Sequence, residues 1–479
     1  MQEVINIGVS HRANHLLTQF YNCQEQSLEQ ASENSNHSSV NGNDPAVFLN
    51  PIVDKVSKTV SYTPRAILWD AKTGNGALAT HQYSNSGDYY YGENCEGPAN
   101  PETPAEHVTR PVEIIKTHER VLPSEYQAAL DSGTALPQLD VQNTQYWSDY
   151  AKLIYSPSSL NNLQNWYHDP TQPSMPDFQN LHQTKFDSFE IGYQEFRDNY
   201  ATDFFDGCFR RQVEQCDNVE GFNLVTEVDN GWGGFSSALL LELRDEMPKK
   251  DVYTWASNQD DVLSLREPVL STKSKFKSLC NKIRSTLPLC YDSTLFFPLY
   301  ADPQKTLWES ASRTCMLFDT INSVVSQTDL QQRRSLDHIA SALTRGEPTR
   351  NIVSTMRIRN DDFSFYSRIP LYKTSRSHVF SQCNISRDSE IKEKDIYLFN
   401  TYAWQPSDTI SEEYRKITNY NVHLAVDERP RNVFKHWFDM VSRYFRYDSD
   451  REELKEQLGT LASIYEEGWY DDDDSGDDM

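Results

Sequence analysis

The chain has 479 residues, too many for one ordinary hydrophobic core, so two or three domains are expected. Apolar residues at 37% and charged residues at 24%, together with 22 Phe, 26 Tyr and 9 Trp, exclude a disordered chain. Forty-five basic against 70 acidic residues leave a formal charge of −25, a surface that repels phosphate backbones and argues against nucleic-acid binding.

In chain order, Val4, Ile5 and Ile7 form an apolar run that stops at Gly8, and a helical pattern (Ala13, Leu16, Leu17, Phe20) follows. Strand, tight turn and helix open an α/β sheet. No basic region with a long apolar core precedes them, so neither a secretory nor a mitochondrial presequence is expected. His11 and His15 stand four residues apart without a third ligand, which predicts a solvent-facing helix start and not a metal site. Arg12 is expected in a surface salt bridge, with a phosphate contact as the alternative. From Gln24 to Asp44 the composition turns to Gln, Glu, Ser and Asn, and a flexible insertion is expected over 24–44. Ala66 to Trp69 predicts a second strand, closed by Asp70. A second flexible insertion, rich in Gly, Pro, Tyr and Glu, is expected over 84–107, and the aromatic residues from Trp147 to Tyr155 are expected in the core.

Phe189 to Cys216 reads as helix, Phe222 to Val228 as a buried strand, Ser236 to Met247 as a helix stopped by Pro248, and Val252 to Trp255 as another strand. Ser236 is the expected N-cap of its helix, or else a phosphate contact. This alternation is what a parallel sheet with crossover helices requires. Leu307, Ala311, Thr314, Leu317, Phe318, Ile321 and Val325 predict a helix apolar on more than one face, placed between two domains. Beyond it, Ser335 caps a short helix, strands are expected at Ile352 to Ile358, Ile396 to Trp404 and Val422 to Val426, and Phe434 to Phe445 marks an amphipathic helix. A last helix near Asp450 to Tyr465 leads to Asp471 to Met479, in which six of nine residues are aspartate. Such a run is ordinarily a solvated tail. The eight cysteines show no C-x-x-C pair and no zinc spacing, so no disulfide framework and no metal are expected. No stretch reaches the roughly 20 apolar residues of a membrane span.

Three segments carry a resemblance: E-V-I-N-I-G-V-S-H-R-A-N-H from Glu3, P-R-A-I-L-W-D from Pro64, and C-D-N-V-E-G-F-N-L-V-T-E-V-D-N-G-W-G-G-F-S-S from Cys216. Each resembles, in order, a phosphate- or metal-side loop of tubulin, and the terminal helix with its acidic tail extends the likeness. Tubulins read G-G-T-G-S-G where this chain has Asp229 and Trp232 in the turn; a carboxylate near a phosphate opposes binding by about 1–4 kcal/mol. Ser10 and Ala13 replace glycines, Lys72 replaces an acid, and no clear hydrolysis trigger is found. With Asp229, Gly233-Gly234-Phe235 and Trp147-Ser148-Asp149-Tyr150, the chain resembles the Misato family, in a fungal form.

The resemblance implies a Rossmann-like, tubulin-like nucleotide-domain layout over 1–304, a central helix over 305–327, a second α/β domain over 328–446, a terminal helical segment over 447–468 and a disordered acidic tail over 469–479. It implies a non-enzymatic role in mitochondrial distribution, morphology and inheritance, in the cytoplasm and peripherally at mitochondria, with cytoskeletal or mitochondrial-surface partners. A degenerate nucleotide site would comprise Ser10, His11, Arg12, Asn14, Asp70, Gly231, Gly233, Gly234 and Ser236. No cofactor is expected; in the alternative reading the chain binds and hydrolyses GTP and polymerises.

Overall fold

A computed structural model describes residues 2–33, 42–53, 58–78, 81–83, 114–116, 121–172, 175–179, 183–259, 272–368, 377–387, 397–446 and 448–466. The chain runs β1 (Glu3–Val9), α1 (His11–Glu33), β2 (Leu49–Val53), β3 (Val60–Pro64), β4 (Ala66–Ala71), α2 (Glu125–Ser132), β5 (Leu160–Leu163), α3 (Phe189–Asn199), β6 (Val219–Glu227), α4 (Gly231–Glu246), β7 (Asp251–Asn258), α5 (Thr272–Asp292) and β8 (Leu295–Tyr300). It continues with α6 (Leu307–Val325), α7 (Leu336–Thr344), β9 (Thr355–Ile358), β10 (Asp361–Asp362), β11 (Val379–Arg387), β12 (Tyr397–Thr401), β13 (Asn421–Asp427), α8 (Arg429–Tyr444) and α9 (Arg451–Ile464).

The larger sheet has the order β8-β7-β6-β1-β4-β5, and every pairing in it is parallel. β1 and β4 are buried along their whole length, which is why they read as near-continuous apolar runs. α1 and α6 cover one face, where Phe20 and Trp255 meet Phe318. α3 and α4 cover the other, where Trp69 meets Phe196 and Phe235. Inside the sheet, Asn223 donates to Asn6 (2.9 Å) and Asn322 (2.8 Å), so amides satisfy one another and pin α6 to the strands.

α6 is buried at 15 of its 19 residues, as a helix lodged between two sheets must be, and Thr306 and Glu309 close a capping box at its start. The second sheet, β10-β9-β13-β11-β12, is antiparallel except for its β11–β12 pair. Arg387 of β11 is fully buried against Asp319 of α6, and Gln24 of α1 donates to the same carboxylate (2.9 Å). α9 packs on α8, and Glu466 just beyond it is held by Arg431 (2.6 Å) and Lys435 (3.2 Å).

Several local expectations change. Gln24 to Glu33 continues α1 instead of opening a flexible insertion, because buried Gln24 bonds to α6 and Lys152 reaches Glu25 (3.2 Å). Asp44 is likewise tied down, its N–H bonded to the Ser326 carbonyl (2.6 Å). The rest of that insertion (34–41), the insertion over 84–107 and the tail over 469–479 lie outside the described residues. The helix expected from Phe189 to Cys216 breaks after Asn199 and passes through a π turn at Phe205–Phe209. The helix expected from Ser236 begins five residues earlier, at Gly231.

Candidate functional site

Open α/β sheets bind their ligands in the crevice beyond the carboxyl ends of the strands. In this chain the ends of β1, β4 and β6 bring Ser10, Asp70 and Glu227 there, and α1 and α4 begin at the same edge. Ser10 holds a φ of 132°, a conformation that L-residues rarely adopt, and its Oγ accepts the Ala13 N–H (3.1 Å). It thereby caps the first turn of α1.

His11 and Asp70 form the centre. His11 Nδ1 lies 2.9 Å from Asp70 Oδ2, which also accepts Trp147 Nε1–H (3.0 Å) and Asn14 Nδ2–H (3.3 Å). Burial alone would lower the His11 pKa, but the Asp70 charge and hydrogen bond outweigh it and raise the value above 6.5. Burial likewise works to raise Asp70, and His11 overcomes it and holds the carboxyl below its usual range. The two directions agree on a buried imidazolium–carboxylate pair. His15 Nε2 lies 3.3 Å from His11 Nε2 and its Nδ1 lies 2.6 Å from the Tyr150 hydroxyl. Burial, then the charge of His11, pushes His15 well below 6.5, so it stays neutral.

The second half of the site reaches the crevice from other elements. His168 stacks on His11 with ring centres 4.0 Å apart, and its Nδ1 lies 2.9 Å from Asp177 Oδ1. Asp177 Oδ2 accepts the indole N–H of Trp232 (2.8 Å). Trp232, on the first turn of α4, is 3% exposed and packs between Phe186 and Phe235. An unbroken chain of contacts therefore joins Trp147, Asp70, His11, His168, Asp177 and Trp232 across the crevice.

The glycines of the turn serve the same closure. A Cβ on Gly231 would collide with Phe186, one on Gly233 with Ser285, and one on Gly234 with the Phe189 carbonyl. The backbone N–H groups that would face an anion are already engaged: Gly231 donates to Phe186 O (3.1 Å) and Trp232 to Asn230 Oδ1 (2.9 Å). Glycine here admits the chain's own segments instead of phosphate oxygens. Asp229 is half-buried, and its carboxylate accepts the Gln259 N–H (3.1 Å).

The structure brings Ser10, His11, Arg12, Asn14 and Asp70 together, and joins them to Gly231, Gly233, Gly234 and Ser236 through Trp232, Asp177 and His168. Three expectations are corrected. His11 and His15 do not face solvent; they are 4% and 0% exposed, because Asp70 and Tyr150 draw them inward. Arg12 does not lie on the surface but is 8% exposed, with Glu227 3.6 Å away at the end of β6. Ser236 is not an N-cap; Asn230 is, and Ser236 Oγ pairs with Thr226 Oγ1 at 2.6 Å. Lys72 leaves the crevice for the Tyr167 ring (5.6 Å). The sequence reading missed His168 and Asp177, which sit in irregular segments with no motif around them. Glu227 it could have found, two residues before Asp229 at the end of a strand. Among the described residues no three His, Cys, Asp or Glu side chains are arranged so as to hold a metal ion.

A family described as the Misato Segment II tubulin-like domain matches residues 2–132, and one described as a tubulin domain matches residues 136–330. Protein DML1 of Kluyveromyces lactis is 51% identical, and Protein DML1 of Eremothecium gossypii 42% identical, each over 100% of both chains. Protein DML1 of Yarrowia lipolytica is 29% identical, again over 100% of both.

Proposed function

This chain belongs to the Misato family of tubulin-like proteins, and from that premise we propose that it is a non-catalytic interaction protein acting in mitochondrial distribution, morphology and inheritance. Its partners on this reading are cytoskeletal or mitochondrial-surface proteins, met in the cytoplasm and peripherally at the mitochondrion. The family resemblance supports the mitochondrial part. One observation supports the non-catalytic part: the crevice at the strand ends is filled by the chain's own Trp147–Asp70–His11–His168–Asp177–Trp232 network. Expelling an aromatic side chain such as Trp232 from its packing costs on the order of 3–5 kcal/mol. A nucleotide that had to do so would bind between about a hundredfold and several thousandfold more weakly.

Equilibrium titration of the purified chain with GTP tests the non-catalytic part, and no saturation in the micromolar range is expected. Tight binding with release of inorganic phosphate would overturn it in favour of a GTP-hydrolysing, polymerising protein. For the mitochondrial part, Kluyveromyces lactis cells depleted of their DML1 protein are supplied with this chain. Normal mitochondrial distribution and retained mitochondrial DNA are expected; defective inheritance despite normal expression would refute that part.

A further inference from the structure

A cavity of about 550 Å³ opens where the end of β8, the first turns of α6, the β9–β10 turn and the segment around Tyr414 meet. It shares no residue with the strand-end crevice, and its volume lies within the range of about 300–1,000 Å³ usual for binding sites. Its charge runs against the rest of the molecule. In a chain of net charge −25, this cavity is lined by Lys305, Arg313, Arg359 and Arg368 against Asp302, Asp361 and Glu413.

Two of the cations are neutralised within the chain. Arg313 makes a bidentate pair with Asp361 (2.7 and 2.7 Å), and Lys305 meets Glu413 at 3.1 Å. The other two have no carboxylate partner among the described residues. Arg368 is exposed and lies over the Tyr300 ring, 3.5 Å from its centre, and its N–H fork meets no hydrogen-bond acceptor among the described residues. Arg359 is exposed at a φ of 54°, with one long bond to the Asn419 carbonyl (3.4 Å). Between them the lining is aromatic but already covered by the chain: the Phe363 ring is 2% exposed beneath the Arg313 guanidinium (4.1 Å), Tyr414 is buried, and Ser310 has a buried hydroxyl without a hydrogen-bond partner among the described residues.

We propose that this cavity binds an acidic peptide segment of a partner protein, one that carries consecutive carboxylates. The carboxylates take the forks of Arg359 and Arg368 as charge-assisted hydrogen bonds, the pairing for which a planar guanidinium is built. Because both arginines are exposed, the binding is salt-sensitive.

The test uses the full chain and a fluorescein-labelled peptide of four consecutive aspartates, with an asparagine version as control, read by anisotropy at low ionic strength. Saturable binding of the aspartate peptide alone is expected. R359Q and R368Q should each weaken it about tenfold, the loss of one charge-assisted hydrogen bond, with the melting temperature unchanged since neither side chain is buried. No binding, or binding indifferent to both substitutions, overturns the site. A full-length variant with Asp471, Asp472, Asp473 and Asp474 changed to asparagine separates the sources of the peptide. Equal affinity supports a partner's segment, whereas tighter binding would overturn that assignment in favour of the chain's own tail.

Discussion

His11 and His15 are one helical turn apart and titrate in opposite senses: burial lowers both, but Asp70 outweighs it at His11 while the charge of His11 adds to it at His15. His11 has its folded pKa raised above 6.5, so its contribution to stability is fully present below pH 6.5 and is lost as pH rises through the folded value. His15 has its folded pKa lowered well below 6.5, so its contribution is present above pH 6.5 and is lost as pH falls. Urea midpoints measured across pH should show His15→Gln flattening the acid side of the stability profile. His11→Gln should flatten the alkaline side while lowering the whole curve, since Asp70 is left buried without its cation. Equal pH profiles for the parent and both variants would remove the pair from the account. Trp232→Ala carries a second prediction: a loss of about 3–5 kcal/mol in denaturant unfolding, with GTP binding still absent, because the His11–His168 stack remains in place. Micromolar GTP binding by that variant would show that the indole alone closes the crevice.

α3 and α4 touch backbone to backbone. A Cβ on Gly192 of α3 would strike the Gly231 carbonyl of α4, and a Cβ on Gly234 of α4 would strike the Phe189 carbonyl. Neither obstacle is the yielding end of a side chain, so Gly192→Ala and Gly234→Ala should each cost about 1–3 kcal/mol or more, the range for overpacked cores. Gly133, whose missing Cβ faces open space, is the comparison, although its φ of 64° makes substitution there a test of backbone strain instead of packing. If Gly234→Ala leaves the thermal transition where it was, the helices have room that the geometry denies. The glycines of the turn were visible in the sequence, but their purpose was not. Composition cannot tell a glycine that admits a phosphate from one that admits a neighbouring helix. α1 teaches the same lesson, since Gln24 to Glu33 looks unable to order itself and is ordered by contacts hundreds of residues away in the chain.

The two sheets are locked together through α6 by a buried charge. Arg387 of β11 and Asp319 of α6 are 0% and 4% exposed at their side chains, and the arginine also donates to Thr320 Oγ1 (2.8 Å) and the Tyr402 carbonyl (3.1 Å). Burial raises the Asp319 pKa in spite of Arg387, which marks the pair as costly to form and more costly to break. Arg387→Met should lose about 3–5 kcal/mol, whereas the double change Arg387→Met with Asp319→Leu should recover most of that loss. A double variant as unstable as the single one would mean that the hydrogen bonds to Gln24 and Tyr402, and not the charge, hold the junction. The strand-end network meets the first turns of α1 and this junction meets Gln24 near its middle, so the same helix connects the closed crevice to the second sheet.

The α/β architecture was legible in the chain's own pattern. Ala66 to Trp69 is apolar on both faces, as a covered parallel strand must be, and Leu307 to Val325 is apolar on more than one face, as a helix between two layers must be. Motif order then fixed the family, because Glu3 to His15, Pro64 to Asp70 and Cys216 to Pro248 each occupy a strand end whose spacing the fold sets. The state of the crevice was set by long-range contacts. His168 and Asp177 come from irregular chain with no periodicity to read, and the inward turn of His11, Arg12 and His15 depends on Asp70, Glu227 and Tyr150, partners 59 to 215 residues away along the chain. Local pattern reports which surface a residue prefers; charge pairing and burial across the sheet report which it receives, and at this site the long-range pairing overrode the local preference.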